Sequence, residues 1–582
     1  MASLPDPSPE FPPSVLREYA LLADGHRGAV LGPRGDVSWL CAPRWDSPAL
    51  MSHLVGGDGV YAITPTETYV WSGSYEPASL IWRSRWTTRT TTFESRDALA
   101  HPGDPHRLVL LRRILPAAQD ASVHVELRLC GNFGQVVMDR PHRDDEGRWT
   151  ITVGDLHARW SGAAEARWRS GTLVLDLVVA AGESHDLVLE VSDQPLPDPV
   201  DPDVAWAGTQ RQWSADVPDL SHTAAPRDAQ HAYAVLRGLT TPGGGMVAAA
   251  TLGLPERADQ GKNYDYRYVW VRDQVYAGLA CAVDRPFDLL DEALSFTAAR
   301  VLEHGDQLAP AYRTDGSPVP GQTTVALAGY PGGSDVVGNW VRQQFQLDAL
   351  GETLQLVAAG IRLDRVDSHH LEAASTAVGV IERRWQEPDA GIWELDDAWW
   401  TQSRLAAVAG LKAFARVRPV AEAARLLSLA DTILAETTRR GLSPHGWWQR
   451  SPEHPGVDAS LVLPAVRGAL PADDPRTLAT LAEVERDLVQ EGHVYRYRPD
   501  ARPLGEAEGA FTLCGFLVSL AHLQQGDRVR AYRYFDIQRS ACGPPGLLTE
   551  EFDVRQRQLR GNFPQAFVHA LLLECAQRLG RT

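Results

Sequence analysis

The hydrophobic period of the chain changes once, near residue 200, and no single layer architecture accommodates both halves. From about residue 20 to 193, short apolar alternations such as GVYAITPT, RLVLLRRIL, SVHVELRLC and TLVLDLVV are broken by Gly, Asp and Pro. That period of two is the signature of half-buried antiparallel strands. After about residue 225, apolar residues recur at i, i+3, i+4 and i+7 in segments such as FQLDALGETLQLVAAGI, SRLAAVAGLKAFARV and FPQAFVHALLLECAQRL, which is helix spacing. Between them QPLPDPVDPD, residues 194–203, carries four prolines and can continue neither a helix nor a central strand. The expected organisation is a β-sandwich domain over 1–193, a linker over 194–224 and an all-helical domain over 225–582. No motif recurs with the helices, so a solenoid of like repeats fits poorly, whereas helical hairpins closing on themselves fit the length.

Charge narrows the partners. The 582 residues hold 56 basic against 74 acidic side chains, a formal −18, and a surface that acidic repels nucleic-acid backbones and anionic lipid heads. Neither nucleic acid nor membrane is an expected partner. Only Lys262 and Lys412 are lysines, so a phosphate-binding Gly-Lys-Ser/Thr loop is absent and a Schiff-base lysine has two candidates. The cysteines, Cys41, Cys130, Cys281, Cys514, Cys542 and Cys575, lie far apart without metal-ligand spacing and read as reduced thiols. With no basic and apolar leader and no long apolar run, the expected compartment is the cytoplasm. Eighteen tryptophans could pack a core or stack on sugar rings.

The common catalytic signatures are missing: there is no H-E-x-x-H, no G-x-S-x-G and no G-x-G-x-x-G after a strand. His369 and His370 are neighbours in a helical segment and point apart, which favours a solvated face over a metal site. Three segments read as loops in the helical half crowd aromatic side chains around charges. In NYDYRYVWVRD, residues 263–273, Tyr264, Tyr266, Tyr268 and Trp270 interleave with Asp265, Arg267, Arg272 and Asp273. Such a group either grips sugar hydroxyls beside a stacking ring or forms a structural ion pair. In DAGIWELDDAWW, residues 389–400, Glu394 follows Trp393. A carboxyl desolvated against an indole stays protonated as a general acid, whereas one at a helix N-terminus is held ionised. GLLTEEFD, residues 546–553, offers Glu550 and Glu551, with GNFPQAF following at 561–567. Two adjacent acids are commonly a solvated surface. Taken together, the three segments contain what glycoside hydrolysis needs: one carboxyl to protonate the leaving oxygen, another on the opposite face, and polar and aromatic groups to hold the ring between them.

The strings YDYRYVWVRD, GIWE, WTQSR, EGAF, LLTEEFD and GNFPQAF, in this order, resemble the signature segments of glycoside hydrolase family 15, the family of glucoamylases, glucodextranases and bacterial trehalases. ADGHRGAVLGPRGDVSWLCAPRWDSPAL, residues 23–50, resembles the opening of its bacterial two-domain members. The resemblance implies an N-terminal antiparallel β-super-sandwich followed by a C-terminal (α/α)6 barrel with the active site at one mouth. It also implies Glu394 as general acid, Glu550 as general base, Arg272 and Asp273 as the grip on the terminal glucosyl unit, and Tyr266 and Trp270 as walls of its pocket. The chain departs from the family pattern at SDVVGNWVRQQFQLD, residues 334–348, which lacks an expected arginine but offers Trp340 as a stacking face, and at Trp400-Thr401-Gln402-Ser403-Arg404, where outer sugar subsites could change.

The expected activity is that of an inverting, exo-acting α-glucoside hydrolase that needs no cofactor or metal, takes a disaccharide or oligosaccharide and releases β-glucose. Its carboxyl groups should stand roughly 6.5 to 9.5 Å apart. The rivals are a glycoside phosphorylase, a glucosyltransferase on the same barrel, and a sugar-binding protein without turnover. Linkage preference and oligomeric state are not legible in the residues.

Overall fold

The computed structural model describes residues 11–256 and 263–581. Its N-terminal part is built from antiparallel strands. An eight-stranded sheet runs in the order His142–Arg143, Trp149–Val153, Leu156–Ser161, His185–Ser192, Arg107–Ile114, Thr92–Leu99, Trp82–Thr88, Tyr69–Tyr75. A four-stranded sheet runs Arg167–Arg169, Thr172–Val179, Ala121–Arg128, Val60–Pro65. The alternation read from the sequence is literal here: along Ala121–Arg128 every second residue is buried. Those inward residues, Val123, Val125 and Leu127, share a core with Tyr61, Trp82, Trp86 and Trp160.

A third sheet, Ala20–Ala23, Gly28–Leu31, Val37–Cys41 and Ala49–Met51 in sequential order, is buried throughout. Its alternate residues serve different cores. Leu22, Leu31 and Leu40 face the sandwich core, while Leu21, Val30, Trp39 and Cys41 join the core of the helical half. Burial on both faces explains why ALLA, GAVL and VSWLC read as unbroken apolar runs rather than alternations.

Within 194–224 the chain forms a docked helix, Pro202–Asp216. Asp201 caps it by accepting the Val204 N–H, and Pro202 sits in the first turn, where a missing N–H costs nothing. Its Trp206 and Trp213 are buried, with the His101 ring stacked on Trp213 at 4.3 Å between centroids.

The C-terminal part alternates outer and inner helices. The outer ones are Pro226–Leu239, Asp288–His304, Ser368–Arg384, Val420–Gly441, Pro475–Asp487 and Arg528–Arg539. The inner ones are Val271–Ala280, Leu347–Arg362, Thr401–Ala415, the short Leu463–Val466, Thr512–Gln524 and Ala566–Gly580. Each inner helix packs on the next, and Ala566–Gly580 packs back on Val271–Ala280, closing the ring. The expected β-super-sandwich followed by an (α/α)6 barrel is what forms. Burial follows position: Thr401–Ala415 is buried nearly all round, whereas Val420–Gly441 buries only Leu426, Ala430, Ile433, Thr437 and Gly441 along one stripe.

Most tryptophans are core residues; Trp39, Trp45, Trp82, Trp86, Trp160, Trp213 and Trp448 are fully buried. All six cysteines are free thiols. His370 closes a capping box with Asp367 at the start of Ser368–Arg384, a structural task.

Candidate active site

A cavity opens at the mouth of the barrel. All eight residues singled out from the sequence, Tyr266, Trp270, Arg272, Asp273, Trp340, Trp393, Glu394 and Glu550, line it. Segments far apart in the chain converge there because each leads into or out of an inner helix.

NYDYRYVWVRD divides between both readings the sequence left open. Asp265 and Arg267 form the structural ion pair: the guanidinium binds both carboxylate oxygens at 2.8 and 2.7 Å and donates to Ser47 O at 2.9 Å, across the domain boundary. Arg272 and Asp273 are not in a loop but in the first turn of Val271–Ala280, aimed at the cavity. Arg272 reaches Gln346 Oε1 at 3.2 Å and Glu394 Oε1 at 3.4 Å. Asp273 is 2% exposed and its Oδ1 has no partner among the described residues. Burial pushes its carboxyl up to about 7 despite the Arg272 guanidinium beside it. An unpaired acceptor buried at the floor of a cavity awaits a donor from a ligand.

The segment 389–400 is a loop held by its own ends. Asp389 and Ala398 exchange backbone hydrogen bonds at 3.0 Å, and Asp389 is clamped by Arg404 Nη1 at 2.9 Å and the Leu347 N–H at 2.9 Å. Gly391 takes φ +67°, and a Cβ there would lie 2.7 Å from the Trp400 ring. Glu394 sits in a turn with φ 55°, well ahead of Thr401–Ala415, so it is not a helix-terminal carboxylate. A non-glycine residue in that conformation costs roughly 1–2 kcal/mol. The indole against its carboxylate is Trp270, whose Nε1 donates to Oε1 at 2.6 Å. Trp393 instead donates to Asp458 Oδ2 at 2.7 Å and meets Phe511 edge-on. Both contacts of Glu394 fall on Oε1; Oε2 makes no hydrogen bond to another described residue.

Glu551 is buried and Glu550 half-buried, against the solvated-surface reading. Glu551 opens the strand Glu551–Asp553, paired with Ala510–Phe511, and its carboxylate accepts the Gly509 N–H at 2.7 Å. Glu550, one residue earlier, takes the other side and enters the cavity, where Tyr266 Oη lies 3.0 Å from its Oε2. Burial raises its carboxyl above the ordinary range, opposed by Arg496 and by the Tyr266 hydroxyl. The rings of Tyr266 and Trp270 meet edge-to-face at 5.5 Å, so two neighbouring rings each hold one carboxylate.

Trp340 is 41% exposed at the rim. The departure at Thr401-Gln402-Ser403-Arg404 does not reach the cavity: Arg404 is fully buried and anchors the Glu394 loop through Asp389, Trp385 O and Glu387 O. Lys412 donates to Ala469 O, away from the cavity, and Lys262 lies outside the described residues. Two charged cavity residues are not singled out by the sequence reading. Arg496, from HVYRYRPD, binds Glu508 through Nε and Nη2 at 3.0 and 2.7 Å; its signal was the same interleaving of arginine with tyrosine. Glu256, from LGLPERADQ, gave no signal beyond a lone acid in a loop.

Comparison with known proteins decides the family. Residues 230–577 match the family described as glycosyl hydrolases family 15, and residues 12–158 match the description trehalase-like, N-terminal. The chain belongs to glycosyl hydrolases family 15. It is 29% identical over 618 residues to a trehalase of Mycobacterium tuberculosis, covering 97% of this chain and 89% of the relative. It is 31% identical over 354 residues to trehalase 1 of Sulfolobus acidocaldarius, covering 58% of this chain and 61% of the relative. A bacterial glucoamylase complexed with acarbose shares the fold at a TM-score of 0.71 with 13% identity, covering 99% of this chain and 97% of that one. The sequence expectation of an exo-acting α-glucoside hydrolase is borne out at the level of this glycoside hydrolase family, whose two parts, sandwich and barrel, are both present. Among the described residues no helix is long and apolar enough to cross a membrane.

Proposed function

We propose that the protein hydrolyses short α-glucosides from the non-reducing end with inversion, releasing β-D-glucose, and that Glu394 is the acid and Glu550 the base. The observation that carries this reading is the pair of carboxylates held by the adjacent rings of Trp270 and Tyr266 over the buried Arg272 and Asp273. Arg272 and Asp273 bind hydroxyls of the terminal glucosyl unit, supplying donors and the unpaired acceptor. Tyr266 and Trp270 wall the ring, and Trp393 and Trp340 flank the leaving sugar. Because Arg272 and Asp273 seal the inner end while Trp340 lies exposed at the rim, a saccharide enters by its end, which makes the action exo.

In the reaction Glu394 gives its Oε2 proton to the glycosidic oxygen as the bond to C1 breaks. Glu550 takes a proton from water as the water oxygen bonds to C1 from the opposite face. Glu550 also separates this reading from that of a phosphorylase, which needs no base. The names of the relatives put trehalose first among α-glucosides. The free cysteines accord with a reducing compartment, and we place the enzyme in the cytoplasm.

The test is proton NMR of the enzyme with trehalose, maltose and isomaltose in separate tubes during the first minutes. β-Glucose appearing ahead of mutarotation in the preferred tube is the expected result. From trehalose, whose inverting cleavage frees one β- and one α-glucose, α-glucose alone overturns inversion, as does an early excess of α-glucose over the substrate's own anomer ratio from maltose or isomaltose; tight binding without turnover of any of the three overturns hydrolysis.

Asp273 adds a pH signature. Its folded carboxyl titrates near 7, against roughly 4 when unfolded. Its stabilising contribution is therefore complete below pH ~4 and is lost as pH rises through 7. Asp273→Asn removes that slope: in urea titrations the ligand-free variant should gain on the wild type steadily from about pH 4 to 7 while losing sugar affinity. An unchanged slope would show that Asp273 ionises freely.

A further inference from the structure

Tyr266 Oη lies within hydrogen-bond distance of two carboxylates, not one: 3.0 Å from Glu550 Oε2 and 3.1 Å from Glu256 Oε1. A phenol carries a single proton and can donate to only one of them. Two ionised carboxylates on one hydroxyl would leave the second oxygen facing an acceptor in a buried site, a repulsion that one additional proton removes. We propose that Glu256 is protonated in the resting enzyme and acts as a positioning residue for the base, donating to Tyr266 Oη so that the phenol donates to Glu550.

The choice between the two carboxylates follows from their neighbours. Glu256 is 3% exposed and feels the negative charge of both Glu550 and Glu551. Among the described residues the cation opposing this negative charge is Arg496, whose guanidinium is engaged by Glu508. Glu550 shares Arg496 and in addition has Arg272, with Glu394, across the cavity. Two guanidinium groups thus favour the ionised form of Glu550, whereas burial and the two glutamates hold Glu256 well above the ordinary range, and the shared proton rests on Glu256. The three-group chain then bears one negative charge, on Glu550, and each hydrogen bond has one donor and one acceptor. Without the Glu256 proton, Tyr266 would be drawn to either carboxylate and the base would lose its fixed orientation.

This inference rests on Glu550 being the base, and its test separates the two. Infrared spectra of the wild type at neutral pH should contain a buried carboxylic-acid C=O band that is absent in Glu256→Gln. Absence of the band from the wild type, or its loss in Glu550→Gln but not in Glu256→Gln, overturns the proposal whatever the kinetics show. In turnover, Glu256→Leu, which cannot donate to Tyr266, should lower kcat by about 10- to 100-fold with KM nearly fixed. Glu256→Gln, whose amide N–H replaces the acid O–H, should recover most of that loss. Equal losses in both overturn the positioning role. On a Tyr266→Phe background the Leu substitution should cost nothing further, whereas additive losses would mark Glu256 as merely structural. If Glu256→Leu fails to fold, the infrared comparison and the Gln variant alone decide. If Glu550→Gln retains activity while the band still vanishes in Glu256→Gln, the base assignment fails and the proton on Glu256 stands.

Discussion

Glu550→Gln should lower kcat by about a hundred- to ten-thousand-fold while KM changes far less, because the amide preserves shape and contact with Tyr266 but cannot take the proton of water. Glu394→Gln should fall by a similar factor on trehalose or maltose, since its amide still accepts from Trp270 but has no acid proton for the leaving oxygen. The two losses differ in kind, and that is the sharper expectation. With α-glucosyl fluoride, whose leaving group needs no protonation, Glu394→Gln should recover most of its rate and Glu550→Gln should not. Steady-state kinetics on the two substrates reads this directly. Recovery by both variants, or by neither, would reject the division of roles.

Arg267→Ala should destabilise the protein by roughly 3–5 kcal/mol, the cost of leaving a buried carboxylate without its partner. The side chain is fully buried, satisfies both oxygens of Asp265 and reaches Ser47 O and Trp45 O of the N-terminal half. Arg267→Lys should recover only part of this, because one ammonium cannot hold both carboxylate oxygens and a carbonyl at once. Urea denaturation followed by tryptophan fluorescence measures the shift in midpoint, and a loss below about 1 kcal/mol would show that the pair is screened by water.

The period change near residue 200 was enough to divide the chain, because strands with one buried face and helices with one buried stripe print their geometry on the residue order. Where that asymmetry fails, the residues fall silent. Arg528–Arg539 is a helix of sequence RVRAYRYFDIQR, whose short buried stripe of Ala531, Tyr534 and Phe535 is obscured by four arginines. The fourth inner helix is a single turn, Leu463–Val466, after the 3-10 turn Ala459–Val462, too short for a period. Val271–Ala280 starts inside the aromatic and charged cluster, which reads as a loop because its charges face a cavity rather than solvent. The site was legible for the same reason: arginines and acids set among tyrosines and tryptophans make little sense on a water-facing surface. Proximity in three dimensions was not legible. Sequence neighbours pair Glu394 with Trp393, yet the ring that holds it is Trp270, brought there by the closure of the barrel. Glu256 acquires its meaning only when Tyr266 stands between it and Glu550.

The sheet of Ala20–Ala23, Gly28–Leu31, Val37–Cys41 and Ala49–Met51 divides its side chains between two different cores. It is a party wall. Neither half of the molecule can melt without stripping one face of the same four strands, and neither can be excised without exposing that face to water. Trp39, whose indole N–H donates to Ala250 O, ties this wall to the helical half across the domain boundary.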